Sequence, residues 1–181
     1  MLLTNKTYKL SLCAVIVALS VVLLLITGVF PFASYALPAL AGALLAVIVI
    51  EAGMKWAVLG YIAVSIVTFF ITPDITAKSA YILLFGYYPV LKCVIEKVKI
   101  KSARWALKVI NLNLAIVVSF LITTYVFKLP DFIDEFKTAG AAVAIAFLIM
   151  ANVAFVLYDI LLTRLIALYF YKYRKYFIKN R

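Results

Sequence analysis

The sequence predicts an all-α fold: a polytopic membrane protein, built as a six-transmembrane-helix bundle with both termini cytoplasmic. Three observations predict it. Of 181 residues, 68% are hydrophobic and only 14% are charged, and the mean hydropathy is +1.17. A soluble domain is near half apolar and about a quarter charged, so this chain cannot cover itself with polar surface in water. Apolar runs approaching the 20 or so residues that cross a hydrocarbon core recur along the whole chain. Finally, the basic residues collect in the loops that alternation of six spans assigns to one side. The length suits a single domain over residues 1–181 and leaves no room for a separate soluble one.

Taken in order, residues 10–29 form the first span. Lys6 and Lys9 precede it as they would a signal peptide, but the run is too long for a signal core and no small-x-small cleavage site follows. It reads as a retained helix. The aromatic turn Phe30-Pro31-Phe32-Ala33-Ser34-Tyr35 leads into a second span at 36–50, with Pro38 near its start. Glu51 to Lys55 breaks the pattern before the third span, 56–71. Thr72-Pro73-Asp74-Ile75-Thr76 is a loop with a clear breaker. The fourth span, 79–95, is interrupted by Gly86 and Pro89. The fifth covers 105–127, a polar connection or short surface helix follows from Lys128 to Lys137, and the sixth occupies 139–161 with an extension to Tyr171 at the cytoplasmic interface.

Charge fixes the sidedness. Between the fourth and fifth spans lies the densest basic stretch, with Lys92, Lys97, Lys99, Lys101, Arg104 and Lys108 against one acid, Glu96. Short loops rich in Lys and Arg stay in the cytoplasm. Alternation from that loop leaves only Lys78, Lys128 and Lys137 outside, where Asp74, Asp131, Asp134 and Glu135 also fall. The net charge of +11 is therefore a match for anionic lipids at the cytoplasmic face and not for nucleic acid. The C-terminal alternation of aromatic and basic residues, YFYKYRKYFIKNR, reads the same way, as an interfacial helix end.

Catalysis has little support. The chain has no histidine, which removes the commonest base and metal ligand. Its acids are dispersed, no glycine loop suits a phosphate, and Cys13 and Cys93 have neither disulfide nor metal spacing. No catalytic residue, metal site or cofactor is expected, and the chain does not read as an enzyme.

Three features invite a binding function. Ser11, Ala14 and Ala18 share one face of the first helix, and small residues four apart let a partner helix approach closely. Internal packing of an alanine-rich bundle is the competing reading. On the fourth helix, Tyr81, Phe85, Tyr88 and Lys92 recur at spacings of four, three and four, which is one helical face. Asn113, Phe120 and Thr124 make a stripe on the fifth, and Asn152 and Asp159 one on the sixth. Polar groups within spans face the bundle interior or a cavity. The third feature is the aromatic turn, as a lid or an interfacial anchor; Tyr81, Tyr88, Thr124 and Asn152 are thus candidates for an outer-half substrate pocket, with Tyr35 of that turn above it. Helix–helix hydrogen bonding is the competing reading, with Lys92 and Asp159 snorkelling to the inner interface.

Six short helices, cytoplasmic termini and the Ala14-x-x-x-Ala18 of helix one resemble the substrate-binding S components of energy-coupling factor transporters. The resemblance implies a vitamin-like small molecule held in the outer half of the bundle, capped by the loop between helices one and two. It also implies docking through helix one on a transmembrane T component coupled to ATPase subunits. The absence of nucleotide motifs from this chain suits that division of labour, and the absence of histidine sets it apart from the nickel and cobalt members. A second class stays open: a non-catalytic scaffold like the small rod-shape-determining membrane proteins of the MreD type, acting through contacts with other membrane proteins.

Overall fold

The computed structural model describes residues 6–125 and 130–173. The described residues are helical apart from turns and short connections, with no strand among them. The helices are α1 (Lys6–Ile26), α2 (Ala36–Glu51), α3 (Met54–Ile71), α4 (Ile75–Ala80), α5 (Tyr88–Ile95), α6 (Lys101–Tyr125) and α7 (Pro130–Leu168). Three helical stretches are long and apolar enough to cross a membrane: Lys6–Ile26, Met54–Ile71 and Ile145–Tyr171. α2 is apolar but shorter.

The chain divides into two compact units, one running through Lys97 and resuming at Leu162, the other Val98–Leu161. In the first, α1, α2 and α3 pack against one another. α1 turns Cys13, Ile16, Ser20 and Leu24 inward, spaced three and four apart as one helical face requires. α3 does the same with Ala57, Gly60, Val64 and Thr68, and α2 contributes Ala41, Gly42, Leu45 and Ile48. Many of these side chains are small. In an apolar solvent helices gain no hydrophobic energy by meeting, so close backbone approach and dispersion must hold them. Gly60 shows how close: a Cβ there would sit 3.2 Å from Ile48 Cδ1 and 3.3 Å from Leu45 Cδ2.

The α2–α3 connection is only Ala52-Gly53. Both amides donate to Ile48 O at 2.9 Å, and Gly53 takes φ 100°, the left-handed turn that glycine permits at a helix C-terminus. α3 therefore starts at Met54, two residues before the expected Trp56.

The fourth segment is broken, as Gly86 and Pro89 predict. It begins earlier than Ser79, because Asp74 accepts from the Thr76 and Ala77 amides at 2.9 and 3.1 Å and caps α4. α4 passes into a π-turn, Tyr81–Phe85, and α5 resumes at Tyr88 with Pro89 in its first turn.

The last helix departs from expectation. The stretch Pro130–Lys137, read above as a polar connection or a separate short helix, is helical but continuous with the sixth segment, the start of α7, one helix of 39 residues and about 58 Å. Its letters carry the reason: proline at the first helical position and acids at 131, 134 and 135 suit a helix N-terminus. Tyr169–Tyr173 closes it with a π-turn. Lys128 and the basic tail beyond residue 173 lie outside the described residues.

Candidate functional site

The break in the fourth segment is the most specialised backbone among the described residues. In the π-turn the Gly86 amide reaches back five residues to Tyr81 O at 2.8 Å, so the regular i−4 ladder is interrupted there. A neighbouring helix compensates: the Tyr61 hydroxyl of α3 donates to Ile82 O at 2.8 Å. The Tyr61 ring also lies 6.3 Å from that of Tyr81 and meets Tyr87 edge-on at 6.1 Å, within the range of favourable aromatic pairs. Gly86 is enclosed by this cluster, since a Cβ there would come 2.7 Å from Tyr61 Cδ2 and 2.9 Å from Tyr81 Cε1. From the other side α2 presses backbone to backbone. A Cβ on Gly42 would collide with the Phe85 carbonyl oxygen.

Tyr81 and Tyr88 are both fully buried, at 0% exposure. Phe85, between them in the predicted stripe, is half-buried. Lys92, one turn beyond Tyr88, is 1% exposed. This corrects the snorkelling reading: the ammonium stays inside, donating to Thr163 Oγ1 of α7 at 2.8 Å and pairing with Glu96 at 3.1 Å. A buried ammonium is tolerable only with such partners.

In the second unit, polar side chains join α6 to α7. Lys108 donates to Asp159 Oδ2 at 2.7 Å, with both side chains buried, and the ammonium lies 5.1 Å from the centre of the Trp105 ring, a cation–π distance. Asp159 is thus paired within the unit and does not snorkel. Further along, Asn113 and Asn152 exchange amide contacts at 3.3 and 3.4 Å. Each also donates 2.8 Å back to its own helix, to Val109 O and Leu148 O respectively. Moving five residues forward on α6 moves seven residues back on α7, so the two helices run antiparallel.

Of the five pocket candidates, Tyr81 and Tyr88 therefore lie at the helix break within one unit. Tyr35 belongs to the same unit, beside α2 and largely exposed. Desolvation and the Asp74 carboxylate push its phenol above the usual range, so it stays a neutral donor at physiological pH. Asn152 belongs to the other unit, with its amide engaged by Asn113. Thr124 lies on α6, and its side chain falls outside the described residues. The docking candidates Ser11, Ala14 and Ala18 are all exposed, on the face of α1 turned away from Cys13, Ile16 and Ser20.

Sequence reasoning missed Tyr61, Gly42 and the Lys108–Asp159 pair. Tyr61 and Gly42 act on main-chain carbonyls, which no residue letter announces. The ion pair was within reach: a lysine and an aspartate each one helix-turn inside an apolar span need partners, and antiparallel neighbours supply them. Among the described residues no cluster of three or more His, Cys, Asp or Glu is placed to hold a metal. No family model matches the chain, and neither a curated protein nor a solved structure gives a match.

Proposed function

We propose that this chain is a six-span integral membrane protein with both termini in the cytoplasm, acting as the non-catalytic substrate-binding subunit of a micronutrient uptake transporter. The observation that carries this reading is the interruption at Tyr81–Tyr87. In hydrocarbon every backbone polar group needs a partner within the protein, so irregular backbone at that depth is kept where protein buries it or where it lines a cavity. Transport proteins place their sites at such breaks. Tyr81 and Tyr88 flank this one and bring aromatic faces and hydroxyls suited to a planar, vitamin-like ring. The exposed Ser11, Ala14 and Ala18 face of α1 would meet the transmembrane coupling subunit, driven by separate ATPases.

Thermal stabilisation of the purified protein by a vitamin panel tests the function, since a ligand stabilises the state it binds. A saturable shift that Tyr88→Phe weakens about tenfold supports the site. Topology has its own test. An impermeant thiol reagent added to intact cells should spare Cys13 and Cys93 and label a cysteine introduced at Asp131; the reverse pattern rules out six spans with cytoplasmic termini.

A scaffold of the MreD type is favoured by one observation: the polar side chains joining α6 and α7 are engaged with each other. On that reading no vitamin shifts the melting temperature, and copurification with a membrane partner is lost on Ala14→Leu or Ala18→Leu.

A further inference from the structure

The two connections that flank α1 and α4 are tied together by one carboxylate. Ser34, at the end of the aromatic turn, donates to Asp74 Oδ2 at 2.6 Å across 40 residues of sequence. The other oxygen of Asp74, Oδ1, accepts the Thr76 and Ala77 amides. Around this bond the chains are in contact: a Cβ on Gly28 would come 2.5 Å from Pro73 Cγ. Lys78, one turn into α4, reaches back to Thr72 O at 3.5 Å and stands 5.8 Å from the Phe69 ring. α4 has only six residues, too few to hold as a helix by its own ladder. It runs without pause into the π-turn and the break.

We propose that Asp74 is a latch coupling the α1–α2 connection to the broken fourth helix. The two amides fix the carboxylate so that Oδ2 faces Ser34. The short, charge-assisted bond from Ser34 in turn holds the carboxylate in its capping rotamer. Release of the connection, with its exposed Phe30, Phe32 and Tyr35, therefore loosens the start of the fourth segment, and loss of the cap frees the connection. This coupling is a property of the two loops and stands apart from the transport reading.

Hydrogen–deuterium exchange on the full-length protein in lipid nanodiscs tests it. Ser34→Ala leaves the cap's own donors and acceptor intact, yet should speed exchange about fivefold or more both at residues 29–35 and at residues 75–86. Ser34→Thr keeps the hydroxyl and should restore wild-type exchange in both segments. Acceleration confined to residues 29–35 in Ser34→Ala would overturn the latch, leaving a loop contact and an independent cap. Equal acceleration in Ser34→Thr and Ser34→Ala would also overturn it, because the hydroxyl would then not be the link.

Discussion

The two units hold their helices together by different means. In the first, α1, α2 and α3 meet mainly through apolar and small side chains, Cys13, Ile16 and Leu24 of α1 against Ala41, Leu45 and Ile48 of α2 and Ala57, Gly60 and Val64 of α3. Ser20 donates to Ala41 O at 3.3 Å, and α2 is in backbone contact with the fourth segment at Gly42. In the second, α6 and α7 are joined by an ion pair and an amide pair. An apolar solvent permits both, because neither depends on water driving apolar surfaces together. They fail differently. A small-residue contact fails when a side chain grows, and a polar contact fails when one partner loses its charge or its donor.

The largest effect should come from Asp159→Asn, which strands the Lys108 ammonium in a buried setting. Removing one partner of a buried pair costs about 3–5 kcal/mol, whereas Lys108→Met with Asp159→Leu should recover most of it. Unfolding of the detergent-solubilised variants measures both; a double variant no better than the single would mean the pair is not the joint. Next comes Gly42→Ala. Its Cβ meets the Phe85 carbonyl, which cannot swing aside as a side chain could, and overpacking of this kind costs about 1–3 kcal/mol. Gly60→Ala is its control. There the Cβ meets the flexible ends of Ile48 and Leu45, so the loss should be visibly smaller, and equal losses would show that backbone approach is not what matters at Gly42. Tyr61→Phe keeps the ring and removes only the donor to Ile82 O, so about 1 kcal/mol is expected. No loss would mean that another donor takes over that carbonyl. The smallest should be Asn152→Ala, since hydrogen bonds between membrane helices average about 0.6 kcal/mol. A loss of several kcal/mol would make the amide pair, and not the ion pair, the main joint of the second unit.

Helices were legible from the letters wherever hydropathy and period carry the signal. The break at Gly86 and Pro89 was legible too, because glycine and proline punctuate a helix in the letters themselves. The start of α7 went unrecognised as continuous helix because acidic residues lower hydropathy while favouring a helix N-terminus. The two lysines show a different limit. Position along a span suggests how near a charge lies to the headgroups, but Lys92 stays inside because Thr163, 71 residues later, is there to receive it. The face of Ser11, Ala14 and Ala18 was visible as a pattern. Whether it points inward or outward depends on the packing of Cys13, Ile16 and Ser20, and spacing alone cannot decide that.

The unequal lengths of α2 and α7 have a consequence for the surrounding lipid. The apolar stretch Ile145–Tyr171, formed by α7 and the start of its closing π-turn, has 27 residues and is about 40 Å long, roughly 10 Å more than the hydrocarbon thickness. α2 has 16 residues and is about 24 Å, roughly 6 Å too short. α2 exposes only Ala36 and Leu40, so its shortfall would present little surface to acyl chains. α7 exposes Val143 and the continuous run Ile145–Met150, so its surplus must be met by tilt or by a locally thicker bilayer. Where this stretch crosses a bilayer, a thinner membrane would lean it further over.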